Sequence, residues 1–333
     1  MTALPKVAII GTGGTISSIG RDEMDVVDYV TLGKMHDASG MIAAFPSASR
    51  FGDLIPVAFP PIPSTQMDYA AWAELNRLID ETCAAHDDLA GIVILHGTAS
   101  LEETAYALSL TTASPVPVVV TGAQRPSTGL STDAAANMTN AVRVAIAPEA
   151  QGLGVLVVLN DEIHAARDVT KTSTFRLQTF QALDFGCLGH VDYDGVALYR
   201  RPVRATAPDT PFTPATLRAA PRVDVTYSYA GSDGAAVPAF IEAGAKGIVS
   251  AGFAPGYISP AEFTALKAAV DAGIVVVQSS RAGSGRVPEM AKVKAGGFIG
   301  ADTLNPQKAR ILLSLALATT HDTDDIRDMF AQY

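Results

Sequence analysis

Residues Gly91–Tyr106, GIVILHGTASLEETAY, set a pattern that recurs along the chain. Ile92–Leu95 is a short, apolar and branched run, which is typical of a strand buried on both faces of a parallel sheet. The run ends at His96-Gly97-Thr98. Glu102 and Glu103 then open a helical pattern, with acidic residues in the first turn, where the helix dipole favours them. The sequence therefore predicts a buried strand, a tight polar turn and a helix in succession.

The polar turn between this strand and this helix is a candidate ligand site. In open α/β sheets, ligands bind at the carboxyl ends of the strands, where helix N-termini begin. The hydroxyls of Thr98 and Ser100, together with backbone N–H groups, suit the binding and polarisation of a carbonyl oxygen. An ordinary strand–helix connection has the same pattern, so this stretch alone leaves both interpretations open.

The alternation of apolar strands, loops and helices continues on both sides of this stretch. Further strands are predicted at Lys6–Ile10, Val116–Thr121 and Leu153–Leu159, and helices at Tyr69–Cys83 and Asp133–Val144. This order predicts an α/β fold with a doubly wound parallel sheet.

A second, smaller α/β domain is predicted after a segment rich in proline near residues 199–223. Its predicted strands are Val223–Tyr229, Gly247–Ala251 and Ile274–Gln278, and its predicted helices are Pro238–Ala243, Ala261–Ala272 and Pro306–Ala318. We therefore assign residues 1–200 to an N-terminal catalytic domain, residues 201–222 to a linker and residues 223–333 to a C-terminal domain.

A glycine-rich turn, Gly11-Thr12-Gly13-Gly14-Thr15-Ile16-Ser17, follows the first predicted strand. It is not a dinucleotide fingerprint, because the third glycine of that motif would fall on Ile16, and it lacks the Lys–Ser/Thr pair of a P-loop. Hydroxyls without a phosphate-binding lysine suit acyl chemistry better than nucleotide binding. The polar segment 18–33 that follows is predicted to be a mobile loop, either a lid that excludes water or a plain solvated loop.

Composition and charge limit the class of protein. The 333 residues are enough for two domains, and 48% hydrophobic against 17% charged residues predicts a large core. A net charge of −10 argues against nucleic acid or an anionic membrane as a partner. No apolar run approaches the ~20 residues of a membrane span. The start, MTALPKVAII, lacks the layout of a signal peptide, so we expect a cytoplasmic protein.

No residues have the spacing of a metal site, and we expect neither a metal nor a cofactor. We interpret His96 and His190 as structural histidines and Cys83 as a buried thiol; Cys83 and Cys187 form no disulfide framework. No Ser–His–Asp arrangement can be placed. Lys171 is either a surface lysine or a base that activates a hydroxyl nucleophile.

Five motifs together resemble those of the bacterial-type L-asparaginase/glutaminase family over nearly the whole chain. They are Gly11–Ile16, His96–Thr98 with the following Leu101–Ala105, Gly122–Ser127, Arg167–Thr172, and the segment from Gly297 to Arg310. The resemblance implies the two-domain asparaginase-like fold and a homotetramer built from close dimers. It also implies active sites at the carboxyl edge of the sheet that the neighbouring subunit completes.

The same resemblance implies roles for individual residues. Thr15 is then the nucleophile, assisted by Tyr29, and Thr98 and Lys171 form a second catalytic pair. The residues implied to bind the substrate are Ser64, Thr65, Gln66 and Gly97, the first three at its α-carboxylate. The implied reaction is a two-step acyl transfer: attack by threonine, loss of ammonia or an amine, then hydrolysis of the ester.

The departures from the family pattern concern the substrate's ammonium group. The family reads His-Gly-Thr-Asp-Thr, where this chain has Ala99 and Ser100 as the last two residues. The missing aspartate holds the substrate's α-ammonium. A second acid, a glutamate of the partner subunit in the family, falls near Met290, so Glu289 fits only with a gap of one residue.

These departures predict a changed substrate, because an ion pair broken on one side in a closed pocket costs ~3–5 kcal/mol. We expect a small carboxylate-bearing amide, imide or lactam without a free α-ammonium. The alternatives are an ordinary L-asparaginase/glutaminase and a non-catalytic binding protein, against which the retained Thr15, Tyr29, Thr98 and Lys171 argue. Loss of the aspartate is also expected to lower the pKa of Lys171, unless Asp168 or another acid compensates.

Overall fold

The computed structural model describes residues 3–333. The chain divides into two compact units, one ending at Pro208 and the other spanning Asp209–Tyr333. The division falls inside the segment 201–222, and this segment also holds a short helix, Pro214–Ala219.

The N-terminal unit is built on a sheet that is mainly parallel. Its strands are β1 Lys6–Gly11, β2 Asp53–Val57, β3 Leu89–Leu95, β4 Val118–Thr121, β5 Leu156–Leu159, β6 Glu162–Ala165, β7 Thr170–Lys171, β8 Phe180–Gln181, β9 Gly189–Val191 and β10 Val196–Leu198. Within the described residues, eight of them form one sheet in the order β10-β9-β6-β5-β4-β3-β1-β2, and β7 pairs with β8 apart from it. The five strands from β2 to β5 in this order run parallel, and β6, β9 and β10 add an antiparallel edge.

Helices cover both faces of this sheet. They are α1 Ala38–Ala44, α2 Tyr69–Ala85, α3 Leu101–Thr111 and α4 Ala134–Ala145. Successive residues of a strand point to opposite faces. Ile9 accordingly packs in one core with α1 and α4, while Ile10 packs in the other with α2 and α3. This confirms the predicted doubly wound α/β sheet.

The C-terminal unit holds a smaller parallel sheet. Its strands are β11 Val223–Tyr227, β12 Gly247–Gly252, β13 Val275–Ser280 and β14 Ile299–Gly300, in that order across the sheet. Its helices are α5 Pro214–Ala219, α6 Ala236–Glu242, α7 Pro260–Asp271, α8 Ala291–Gly296, α9 Pro306–Leu317 and α10 Thr323–Gln332. Val237, Leu266 and Phe298 pack against Ile248 and Val276 of the sheet to form its core.

Two further observations concern the described residues as a set. None of their helices combines the length and the apolar composition needed to cross a lipid bilayer. In the same part of the chain, no three His, Cys, Asp or Glu side chains come together in a way that would hold a metal ion.

Candidate active site

The polar turns after β1 and β3 lie side by side because the two strands are parallel neighbours that end in register, Gly11 opposite Leu95. Thr12 joins the strand ends: its backbone N–H and its hydroxyl both donate to the carbonyl of Leu95, at 3.0 Å each. The glycine-rich turn and the His96-Gly97-Thr98 turn therefore begin side by side at the same edge of the sheet.

Two glycines allow a third loop to join them. A Cβ on Gly14, whose φ is 84°, would lie 2.1 Å from the Cα of Gly97. A Cβ on Gly97 would lie 2.6 Å from the hydroxyl oxygen of Ser64. No side chain fits into such gaps, so the two glycines let three backbone segments meet around Thr15.

Thr15 lies at the start of a 3-10 turn, directly under the loop 18–33. Its Oγ1 is 2.7 Å from the phenol oxygen of Tyr29, which is itself buried. Burial raises the pKa of the Tyr29 phenol, the hydrogen bond to Thr15 opposes this, and Asp25 adds to it. The phenol is therefore protonated at neutral pH and is able to exchange a proton with the threonine hydroxyl.

The loop 18–33, predicted to be mobile, has a hydrogen-bonded base. Ile19 N–H donates to the carbonyl of Lys34 at 2.9 Å. The backbone N–H and the hydroxyl of Ser127 both donate to the carbonyl of Ser18, at 2.9 and 2.6 Å. Tyr29 itself sits in a 3-10 helix, Asp28–Leu32. The loop after β4 thus holds the loop that carries Tyr29 over Thr15; its mobility stays a prediction.

The second predicted pair is also formed. Lys171, in β7, donates a hydrogen bond from Nζ to Oγ1 of the buried Thr98 at 2.8 Å. Burial lowers the pKa of the Lys171 amine, and the negative charge of Glu102 opposes that shift. The pKa of Lys171 therefore lies below its ordinary value because of burial, and the nearby acid is Glu102 and not Asp168. The effect of the missing aspartate stays a prediction.

His96 is a structural residue of the turn. Its Nδ1 lies 2.7 Å from the carbonyl oxygen of Gly97, so Nδ1 carries the proton. Its Nε2 lies 2.9 Å from Oγ1 of Thr104, which also accepts a hydrogen bond from the indole of Trp72. Complete burial lowers the pKa of His96 to about 4. The ring is neutral, both of its nitrogens are hydrogen-bonded, and it does not line the pocket described below.

The other groups that we interpreted as structural are only partly covered. Cys83 and Cys187 are both free, and neither is fully buried. The pKa of the Cys83 thiol is raised, chiefly by burial. His190 lies near Cys187, with 3.4 Å between Nε2 and Sγ. They lie outside the pocket described next.

The two threonine pairs open into one pocket of about 480 Å³. Its lining residues are Gly14, Thr15, Ser18, Tyr29, Val30, Gly33, Lys34, Met35, Pro63, Ser64, Thr65, Gly97, Thr98, Ala99 and Lys171. Lys34 and Lys171 are the charged residues among them, and within the described part of the chain no Asp or Glu belongs to the lining. The exposed Ala99 leaves its part of the wall neutral.

The predicted substrate-binding residues are only partly brought together. The buried Ser64 and the exposed Thr65 line the pocket from a 3-10 turn, Ser64–Gln66. The hydroxyl of Ser100 holds this turn by donating to the carbonyl of Ser64 at 2.5 Å. Gln66 is exposed on the same turn and does not line the pocket.

Glu289 belongs to the C-terminal unit, just before α8. Its Oε1 accepts a hydrogen bond from Nε of Arg327 in α10 at 2.5 Å. Glu289, the acid that could take the place of the family's glutamate at the substrate's ammonium, is thus already paired within its own unit.

Comparisons with known proteins cover the entire fold. Residues 6–204 match the family model for the N-terminal domain of asparaginase, and residues 222–330 match that for the glutaminase/asparaginase C-terminal domain. The chain is 39% identical to "L-asparaginase 2" of Escherichia coli strain K12, over 99% of this chain and 94% of that one. It is 35% identical to "Glutaminase-asparaginase" of Pseudomonas fluorescens biotype A, over 100% and 91% of the two chains.

A solved structure agrees with these matches. The crystal structure of the probable cytoplasmic L-asparaginase from Campylobacter jejuni superimposes with a TM-score of 0.92 at 38% identity, covering 98% of this chain and 99% of that one. The matches define an amidohydrolase with two α/β domains. The chain belongs to the bacterial-type asparaginase family, which confirms the resemblance seen in its motifs.

Proposed function

We propose that this protein hydrolyses the amide bond of a small molecule that carries a carboxylate but no free α-ammonium group, with Thr15 as the nucleophile. Cyclic imides and lactams of similar size, which also lack a free α-ammonium group, are included in the proposed class of substrates. The observation that carries the substrate class is the charge of the pocket: two lysines, a neutral Ala99 and, among the described residues, no acid in the lining.

The first half of the reaction uses Thr15 and Tyr29. The Thr15 oxygen attacks the amide carbon, and its proton passes along the 2.7 Å contact to the Tyr29 oxygen while the phenol's own proton moves on to the amide nitrogen, so that the C–N bond can break. The nitrogen leaves as ammonia after taking up a proton, and the acyl group remains as an ester on Thr15. The buried phenol is protonated, so it acts as a relay that gives one proton as it receives another, and not as a base.

The second half uses Thr98 and Lys171. A water molecule adds to the ester carbon, and the proton that it loses passes through the Thr98 hydroxyl to the Lys171 amine, 2.8 Å away. The C–O bond to Thr15 then breaks and the acid leaves; the Thr15 oxygen takes up a proton, and Lys171 gives up the one that it received, which restores both residues. A lysine with a lowered pKa is a better acceptor for this proton at neutral pH than an ordinary one.

The electrostatics of the pocket favour an anionic substrate. Lys34 attracts the carboxylate, and the polar turn that carries Ser64 and Thr65 offers it hydrogen bonds. An α-ammonium beside Ala99 would meet no carboxylate in the lining, and a charge removed from water without a partner is costly. Glu289 would first have to leave Arg327 in order to serve it.

An ordinary L-asparaginase or glutaminase is the second candidate function. It is favoured by the relatives, which include the Escherichia coli "L-asparaginase 2" and the Pseudomonas fluorescens "Glutaminase-asparaginase". In that case an acid from outside the pocket described above, Glu289 first, binds the ammonium group. A non-catalytic binding protein is the least supported function, because both hydroxyl pairs are intact.

Matched substrates separate these functions. We expect ammonia release from succinamate to have a kcat/KM equal to or above that for L-asparagine, and glutaramate to compare in the same way with L-glutamine. A preference of tenfold or more for asparagine, ~1.4 kcal/mol, would establish the ordinary asparaginase instead. A protein that neither releases ammonia from these amides nor opens the ring of succinimide or a lactam of the same size would be a binding protein.

We also propose a homotetramer built from close dimers, with the neighbouring subunit completing each pocket, and a cytoplasmic location like that named for the Campylobacter jejuni protein. The family membership supports the assembly.

A further inference from the structure

A buried carboxylate lies behind the second threonine pair. Glu102 is the second residue of α3, and only 6% of its surface is exposed. A carboxylate is seldom buried without partners, although the first turn of a helix favours its negative charge. The side chain faces away from solvent and toward β7, the strand that carries Lys171.

Two residues of the segment 98–102 accept hydrogen bonds from Lys171. Oε2 of Glu102 accepts a hydrogen bond from the backbone N–H of Lys171 at 3.1 Å. Four residues earlier, Thr98 accepts a hydrogen bond from the Nζ of the same lysine. β7 is only two residues long and, among the described residues, pairs with β8 alone. The hydrogen bond from its backbone to α3 therefore helps to fix the position of the Lys171 Cα.

Glu102 is also the anion that acts on the lysine. Asp168, on the preceding turn, lies 3.4 Å from the guanidinium of Arg167. On the pocket side, Lys34 adds a positive charge and Tyr29 a neutral phenol, while the buried His96 is uncharged. Glu102 raises the pKa of Lys171 against the larger effect of burial.

We propose that Glu102 is the positioning residue of the Thr98–Lys171 pair, and that its carboxylate supplies from within the fold the negative charge that Ala99 does not supply from the pocket wall. Its role rests on the proposed use of Lys171 as a proton acceptor. The negative charge of Glu102 stabilises the protonated form of Lys171 during turnover. Because Glu102 does not line the pocket, it does so without contacting the substrate.

Two substitutions separate charge from geometry. Glu102→Gln keeps an oxygen that can accept from the Lys171 backbone but removes the charge. We expect the acid limb of the kcat/KM profile to move to lower pH, because the pKa of Lys171 falls further, while KM changes little. Glu102→Ala removes both functions, and we expect kcat at the plateau to fall by ~10- to 100-fold, as misplacement of a catalytic group does.

The control is Glu103→Gln, which removes the same charge from the next residue of the same helical turn. It should leave the acid limb in place. An acid limb that stays fixed in Glu102→Gln, or that moves equally in Glu103→Gln, would overturn the proposal. Thermal unfolding of each variant separates a loss of fold from a loss of positioning.

A second readout does not depend on the reaction. The pH dependence of Lys171 acetylation by acetic anhydride, read by peptide mass spectrometry, reports the fraction of neutral amine without any substrate. We expect Glu102→Gln to react at lower pH than the unchanged protein, and Glu103→Gln to match the unchanged protein. Equal curves for Glu102→Gln and the unchanged protein would overturn the role of Glu102. A shifted curve in a protein that hydrolyses no amide would instead overturn only the proposed function.

Discussion

At the scale of single residues, the proposed chemistry depends on two hydroxyls with different partners. Thr15 faces a neutral phenol that burial keeps protonated, whereas Thr98 faces an amine whose pKa burial lowers. The first hydroxyl is suited to attack and the second to proton transfer. The motifs and family resemblance predicted these four residues. They missed Glu102 as the acid beside Lys171, because a glutamate in a first helical turn ordinarily indicates only a helix start.

Thr15→Ala should abolish turnover while leaving the protein folded. The expected loss in kcat is ~10³-fold or more, since the hydroxyl that forms the ester is gone. Thr15→Ser is the matched variant, because it keeps the hydroxyl and should recover part of the activity. The measurement is steady-state ammonia release, together with mass spectrometry of a trapped acyl-enzyme. An adduct on Thr12, Ser17 or Thr98 would show that another residue attacks.

Ala99→Asp should move the substrate preference toward L-asparagine. The new carboxylate would give the α-ammonium a partner on the pocket wall, worth ~1.5–3 kcal/mol for a hydrogen bond to a charged group. The ratio of kcat/KM for asparagine and succinamate measures this in both proteins. Ala99→Asn provides the control, since it has nearly the same shape without the charge. A ratio that responds equally to both substitutions would contradict the electrostatic explanation of specificity.

At the scale of elements, the site exists because parallel strands end together. β1 and β3, together with helices α2, α3 and α4, were predictable because each has a clear apolar pattern and polar ends. The elements β2 and α1 were not: β2 contains Pro56, which an edge strand tolerates, and α1 is seven residues long with an internal glycine. The strands β6 to β10 have two to four residues each, too few for any periodicity.

Gly14→Ala should separate the loops that form the site. Its Cβ would lie 2.1 Å from the backbone of Gly97, and φ at this position is 84°. Overpacking costs ~1–3 kcal/mol, and a side chain at φ 84° and ψ −176°, a backbone region essentially confined to glycine, adds ~1–3 kcal/mol. Gly152→Ala is the matched control, because its φ is 69° and nothing lies within 4 Å of the added Cβ.

Both variants should lose some stability in denaturant unfolding, but only Gly14→Ala should also lose most of its activity. The difference in unfolding free energy between them reports the contact with Gly97 together with the backbone strain particular to Gly14. If Gly14→Ala proved as stable and as active as Gly152→Ala, the close approach of the two turns would not be required for the site.

At the scale of the whole molecule, the N-terminal unit exposes large apolar side chains between residues 175 and 203. The most exposed are Tyr193, Val203, Tyr199 and Phe175. These residues are where we look for the contact with the neighbouring subunit that we propose, since contiguous exposed apolar patches mark such contacts. The sequence could not reveal this surface, because which apolar residues stay exposed is known only once both cores are filled.

Activity should therefore fall on dilution, if a neighbouring subunit both covers this surface and completes the pocket. By mass action, the active fraction declines once the subunit concentration drops below the dissociation constant of the dimer. The measurement is specific activity across a dilution series, with sedimentation velocity at the same concentrations and an inert carrier protein to prevent adsorption. Reconcentration should restore the activity, since no covalent change is involved. A monomer that stays fully active at assay concentration would show that each chain holds a complete site.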